Sequence, residues 1–372
     1  MKETAVVICP GRGTYNKEDL GYLTRHHFKS HYKNHHNSNR SEFIHAMDSY
    51  RRDHQQMQVS ELDGAEHYRM ALHSAGDNAS ALIYTCALAD FLSIDRERYD
   101  IVAVTGNSMG WYLALACAGA LDLNNGMHVV NTMGSMMHTH AEGGQVIYPL
   151  CNDQWQYDEA LAETVRTTVA KLQQNPAITI STSITLGNMI VLAANAWGVT
   201  QLLEKLPKVQ ERYPFALPNH GAFHSPLMTP ISRQAINLLP ANLFAQPTIP
   251  LIDGRGHIWQ TRATDIKALH AYTFDKQVCQ TYNFTAALEV AAKEFAPDRF
   301  IILGPGSTLG APVAQQLINM RWQGMRSKED FKSLQATDPF VLGMGDRRQG
   351  AEGQRTENRG QGTGKDNTGM GA

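Results

Sequence analysis

Apolar and polar positions change rhythm along this chain in a way that predicts strands and helices in turn. Residues 5–9 (AVVIC) form a continuous apolar run that ends at Pro10-Gly11-Arg12-Gly13, the pattern of a buried strand entering a tight turn. Residues 15–75 are polar and helix-prone, with a weak core signal. Residues 78–93 (NASALIYTCALADFLS) predict a strong amphipathic helix. Residues 101–105 (IVAVT) predict a second buried strand, which runs into Gly106-Asn107-Ser108-Met109-Gly110 and then a very apolar helix over 111–120. Residues 300–303 (FIIL) predict another buried strand, followed by Gly304-Pro305-Gly306 and a helix. Strands alternating with helices in this way predict an α/β fold with a parallel sheet.

Residues 143–219 have a rhythm of their own. The pattern predicts strand 145–150, helix 159–173, strands 177–184 and 189–194, helix 199–206 and strand 213–217. This βαββαβ order is the ferredoxin-like split unit. The predicted organisation is a hydrolase-like parallel-sheet core over 1–142 and 220–330, with a ferredoxin-like small domain over 143–219 inserted in it. From Gly343 the chain is rich in Gly, Gln and charge and almost free of apolar residues, so residues 343–372 are expected to be a disordered tail.

Composition narrows the function classes. Lys+Arg 33 against Asp+Glu 35 gives a net charge of −2, without the cationic surplus that phosphate neutralisation needs, so no nucleic-acid partner is expected. No apolar run is long enough to span a bilayer, and no membrane partner is expected. The N-terminal apolar run is too short for a secretory signal. Cys9, Cys86, Cys117, Cys151 and Cys279 are odd in number, widely spaced and without a Cys-x-x-Cys pair, which argues against a disulfide framework or a zinc cage. A reducing cytoplasm fits them. His26, His27, His31, His35 and His36, interleaved with Arg25, Lys29 and Lys33, read as a solvated basic helix and not as a metal site. Gly304-Pro305-Gly306 lacks the Gly-Lys-Ser/Thr ending of a phosphate loop and reads as a tight turn.

A strand, then Gly-x-Ser-x-Gly, then a helix is the pattern of a nucleophile elbow. The glycines leave room for a sharp turn, which lifts Ser108 to a helix N-terminus where developing negative charge is favoured. A serine nucleophile needs a base. Among sixteen histidines, His224 stands out, because it lies in His220-Gly-Ala-Phe-His224-Ser-Pro-Leu-Met, a segment following the last strand of the insert.

Taken in order, Pro10-Gly11-Arg12-Gly13, Gly106-Asn107-Ser108-Met109-Gly110, Gly221-Ala222-Phe223-His224-Ser225-Pro226-Leu227-Met228 and Gly304-Pro305-Gly306 resemble the malonyl-CoA:acyl-carrier-protein transacylases and the acyltransferase domains of polyketide synthases. The resemblance covers about residues 4–325. It implies ping-pong transfer between acyl-CoA and an acyl carrier protein in fatty-acid or polyketide synthesis, with no metal and no bound cofactor. Ser108 is then the nucleophile and His224 the general base. The backbone N–H groups of Arg12 and Met109 form the oxyanion hole. A main-chain carbonyl, at the position matching Asn283, orients the histidine. The chain also departs from the family, which usually has Gln at Arg12 and His at Asn107. At Met133, malonyl-specific members carry the arginine that pairs with the malonyl carboxylate. Asn107, Met133 and Met137 are the candidate acyl-pocket residues, although the two methionines also suit a plain core. A thioether cannot pair with a carboxylate, so Met133 predicts acetyl or another uncharged acyl group. Arg12 either relocates the missing guanidinium or faces solvent and the CoA phosphates. Two rival functions are a carrier-protein thioester hydrolase on the same scaffold and a non-catalytic carrier-protein docking module.

Overall fold

The computed structural model describes residues 1–24 and 36–345, and two sheets organise them. In chain order the first elements are β1 (Glu3–Cys9), α1 (His36–Asp53), α2 (Gly76–Ser93), β2 (Tyr99–Gly106), α3 (Gly110–Cys117) and α4 (Leu123–His140). Next come β3 (Gly144–Pro149), α5 (Glu159–Leu172), β4 (Ile180–Leu186), β5 (Met189–Ala194), α6 (Ala196–Lys205) and β6 (Phe215–Ala216). The chain then continues through α7 (Thr229–Leu238), β7 (Leu251–Ile252), β8 (Ile258–Trp259), α8 (Ile266–Ala271), β9 (Tyr282–Asn283) and α9 (Phe284–Phe295). It closes with β10 (Arg299–Ile302), α10 (Gly310–Asn319), α11 (Lys328–Thr337) and β11 (Val341–Gly343).

The larger sheet has the order β11-β10-β1-β2-β7-β8 and is parallel except for the β7–β8 hairpin at its edge. Ala5, Val6, Val7, Ile8 and Cys9 are all fully buried. Helices cover both faces of a central parallel strand, so its residues cannot alternate with polar ones. The second sheet has the order β6-β3-β5-β4-β9. Its first four strands pair antiparallel in the split βαβ order, and α5 and α6 close a separate small core around Val146, Tyr148, Val165, Leu192 and Leu202. β9 comes from the larger unit and adds itself parallel to β4, with Ile184 opposite Tyr282 and Thr185 opposite Asn283.

α2 is not amphipathic. Nearly every residue from Gly76 to Phe91 is buried, including Asn78, Ser80, Thr85 and Asp90. The cause is a close crossing with α4: a Cβ on Gly134 would lie 2.7 Å from Ser80 Oγ and 2.8 Å from the Gly76 carbonyl. Ser80 and Thr85 pair along the helix, Ser80 Oγ donating to Gly76 O and Thr85 Oγ1 to Ala81 O at 2.9 Å, whereas Asn78 Oδ1 accepts from Arg51 and Asp90 accepts from Tyr22 OH and Gly304 N–H.

The core also extends past its expected limit at 330. Phe300 N–H donates to Phe340 O at 2.7 Å, Phe340 is buried, and β11 pairs with β10 as the edge strand. Gly343, where the tail was expected to start, is the last residue of that strand; residues 346–372 lie outside the described residues. His26, His27, His31 and His35 lie outside them too. Among the described residues all five cysteines are free, no cluster of His, Cys, Asp or Glu is arranged to hold a metal, and no helix is long and apolar enough to cross a membrane.

Candidate active site

A sharp turn follows β2. A Cβ on Gly106 would lie 2.2 Å from the Gly110 carbonyl oxygen, and one on Gly110 would lie 2.4 Å from the Cys9 carbonyl oxygen. Backbone packs on backbone at both points, so both positions require glycine. Between them Ser108 is held at φ +57°, a left-handed conformation that a non-glycine residue adopts only under constraint. The turn is closed by Gly110 N–H donating to Asn107 O at 2.8 Å and Trp111 N–H donating to Ser108 O at 3.0 Å. Ser108 therefore stands at the N-terminus of α3, where the helix dipole is positive.

His224 reaches it from the loop after β6. The loop is pinned to the smaller sheet: Ser183 Oγ, on β4, donates to Phe223 O at 2.8 Å, and Gln145, on β3, bonds both Ser183 and His220. His224 is itself left-handed, at φ +55°, and 4% exposed. Its Nε2 lies 2.7 Å from Ser108 Oγ. Its Nδ1 lies 2.5 Å from the Gln277 carbonyl oxygen. An acceptor there fixes the proton on Nδ1 and leaves the Nε2 lone pair facing the serine. Burial pushes the imidazole down to about 4, partly opposed by the bond to Gln277, so the ring is neutral at neutral pH.

The Gln277 carbonyl is free for this role because of how its helix ends. α8 widens into a π-helical turn over Tyr272–Lys276, and the chain becomes extended at Gln280, with φ −124° and ψ 158°. The carbonyls of the last helical turn then lack a backbone donor. The side chain of Gln277 serves the site as well. Its Nε2 donates to Ser108 O at 3.0 Å, and its Oε1 accepts from Tyr112 OH at 3.0 Å. The backbone N–H groups of Arg12 and Met109 donate to no protein acceptor among the described residues.

Arg12, Ser108, Met109, Met133, Met137 and His224 line one cleft that opens to solvent. Val130, Phe223 and Val278 add apolar wall and Ser80 a hydroxyl. Two expectations are corrected. The main-chain carbonyl of Asn283 does not orient the histidine, whose Nδ1 is bonded to Gln277 O; the Asn283 side chain caps α9, its Oδ1 accepting from Ala286 N–H at 2.9 Å and from Thr185 Oγ1. The orienting carbonyl belongs to Gln277, six residues earlier, and no motif marks it, because any residue at a helix end can offer a carbonyl. Asn107 does not line the cleft. It is buried beneath the turn after β1, its N–H donating to Cys9 O at 3.0 Å and its carbonyl only 2.6 Å from where a Gly11 Cβ would sit.

No family model matches the chain. A curated malonyl CoA-acyl carrier protein transacylase from Bacillus subtilis is 24% identical over 269 residues, which is 71% of this chain and 77% of that protein. The crystal structure of the malonyl-CoA:ACP transacylase of Synechocystis matches with a TM-score of 0.68 at 17% identity, covering 94% of this chain and 98% of that one. A malonyl-transacylase solved in complex with a type II polyketide synthase acyl-carrier protein matches with a TM-score of 0.66 at 17% identity, covering 85% and 93%.

The chain is similar in sequence to a malonyl CoA-acyl carrier protein transacylase and shares the fold of a solved malonyl-CoA:ACP transacylase.

Met133, on α4, is 2% exposed and contributes a thioether to the wall of the cleft, at the position where the resemblance implied an arginine for malonyl specificity. Among the described residues, Arg12 is the one Arg, Lys, Asp or Glu of that wall.

Proposed function

We propose that this protein moves an acyl group from an acyl-CoA thioester to the phosphopantetheine thiol of an acyl carrier protein, through an ester on Ser108. The observation that carries this reading is the 2.7 Å approach of Ser108 Oγ to a neutral His224 Nε2, beside two unused backbone N–H groups. Ser108 Oγ attacks the thioester carbonyl carbon while its proton passes to His224 Nε2. Negative charge gathers on the carbonyl oxygen, where the N–H groups of Arg12 and Met109 receive it. The intermediate collapses with cleavage of the C–S bond, and the CoA sulfur takes the proton from His224. In the second half the carrier thiol gives its proton to Nε2 and attacks the ester carbonyl, and Ser108 Oγ leaves with that proton. The Gln277 carbonyl holds the ring in one tautomer throughout and favours the transient imidazolium. No bound metal or cofactor takes part in either half. The five free cysteines suit a reducing, cytoplasmic setting.

Intact-protein mass spectrometry after mixing with a panel of acyl-CoAs tests the reading. One acyl mass should be gained on wild type and none on Ser108→Ala, and the ester should discharge far faster to a carrier-protein thiol than to water. Ester formation on Ser108→Ala would refute it. Equal release of free acid with and without carrier would assign the scaffold to hydrolysis instead.

A further inference from the structure

The guanidinium of Arg12, a residue of the cleft wall, has no counter-ion in contact with it among the described residues. One terminal nitrogen, Nη2, donates to Asn219 O at 3.1 Å and Ser74 O at 3.3 Å, and the group sits 5.6 Å from the Phe223 ring centre. These contacts hold its position but carry no negative charge. Nε is fully buried and has no hydrogen-bond partner, and no carboxylate forms an ion pair with Arg12 among the described residues. Asp77 is close enough to favour the charged form but makes no contact of this kind; burial pulls Arg12 down to about 10, so it remains a cation at neutral pH. Nε is closed off from any ligand, so only the terminal nitrogens can meet one. A half-buried cation without a counter-ion is costly unless something neutralises it. The rest of the cleft offers nothing that could: Met133, Met137, Val130, Phe223 and Val278 are apolar, and Ser80, Tyr112 and Gln277 are uncharged.

We propose, building on the acyl-serine reading above, that Arg12 selects the acyl group, its guanidinium pairing with a free carboxylate at the far end of a short dicarboxylic half-thioester. The chemistry is that of a planar fork meeting a carboxylate, which an ammonium or an amide does not reproduce. The cation comes from the turn after β1, whose own backbone N–H faces the reacting carbonyl, and not from α4. An uncharged acyl group seated in the cleft would strip water from Arg12 and leave it unpaired; an acyl carboxylate neutralises it. The thioethers of Met133 and Met137 then line the apolar flank of the chain between ester and carboxylate. This reverses the expectation drawn from Met133 alone, that the acyl group is uncharged.

The test is the ratio of acylation rate constants for malonyl-CoA and acetyl-CoA, measured on wild type and Arg12→Gln. A ratio cancels any damage the substitution does to the turn or to CoA binding. Wild type should prefer malonyl-CoA, and Arg12→Gln should lower the ratio at least about tenfold, the loss that 1.4 kcal/mol represents. Adding Met133→Arg to Arg12→Gln should return part of the malonyl preference by supplying a cation from α4. Wild-type preference for acetyl-CoA, or a ratio that Arg12→Gln leaves unchanged, would overturn the proposal while the acyl-serine reading stands. Failure of both donors to acylate wild-type Ser108 would remove that reading and the proposal with it.

Discussion

Ser108 and His224 share a feature that their chemistry alone does not require: both sit at positive φ. A left-handed L-residue costs about 1–2 kcal/mol relative to glycine, which adopts the conformation freely. Ser108→Gly and Ser108→Ala both lack the nucleophile and should both be inert towards acyl-CoA. Ser108→Gly should nevertheless be the more stable of the two by about 1 kcal/mol in denaturant titrations; the opposite order would show that the turn is not strained. His224 carries a second signature. Its folded value near 4 lies below the ordinary histidine value of 6.5, so the unfolded chain binds the extra proton between those limits. The stability this residue contributes is complete above pH 6.5 and declines as pH falls towards 4, by up to about 1.4 kcal/mol per unit. Denaturation at pH 7.5 and pH 5 should show a smaller loss for His224→Gln than for wild type. Acylation should stay flat over the same interval, because Nε2 remains unprotonated.

At the scale of elements, the site depends on β1 and α3 being nearly in contact. Gly110 opens α3 against the Cys9 carbonyl, and the turn carrying Arg12 begins at the next residue, Pro10. Gly110→Ala puts a methyl into space that a backbone oxygen occupies. α3 must then back away from β1, which separates Ser108 from the N–H of Arg12. The expected result is a loss of several kcal/mol of stability and an acylation rate reduced at least a hundredfold in whatever fraction folds, measured in single-turnover mixing. The same substitution at Gly310, where an added Cβ meets nothing within 4 Å, should be nearly silent. The end of the α8 segment matters just as directly, since it frees the Gln277 carbonyl for His224. Asn283, the position that the resemblance implied for this carbonyl, does not fill the role, because His224 Nδ1 is already bonded to the carbonyl at Gln277.

Over the whole molecule, two long-range joints close the architecture. β9 ties the larger unit to the edge of the smaller sheet, and Tyr282 within it donates from its hydroxyl to Gly106 O at 2.5 Å while its ring packs 5.4 Å from His224. The other joint is the return of the chain at β11, where Phe340 and Val341 are buried and Met344 N–H donates to Ile302 O at 2.9 Å. A chain cut after Gly345 keeps every described contact and should unfold at the wild-type temperature. A chain cut after Gly324 loses Phe340, whose burial alone is worth about 3–5 kcal/mol, and should melt well below wild type or fail to fold. Equal melting temperatures for the two truncations would place the end of the core near residue 324.

Local sequence determined what depends on local chemistry. The apolar runs marked the buried strands β1, β2 and β10, the changing period marked the alternation of strands and helices, and the glycines around Ser108 marked a turn that only they permit. Histidine and serine were legible as candidates because each lies in a short segment of unusual composition. What the tertiary structure decided is what depends on neighbours distant in sequence. β7, β8, β9 and β11 are only two or three residues long and carry no period of their own; they are strands because a partner strand offers hydrogen bonds at that place. α2 is buried all round because α4 crosses it at glycine, a contact that no single helix records. The Gln277 carbonyl, the side on which Arg12 faces the cleft and the withdrawal of Asn107 from it follow from the folded backbone, since a main-chain oxygen has no residue identity and a side chain's direction is set by the elements packed around it.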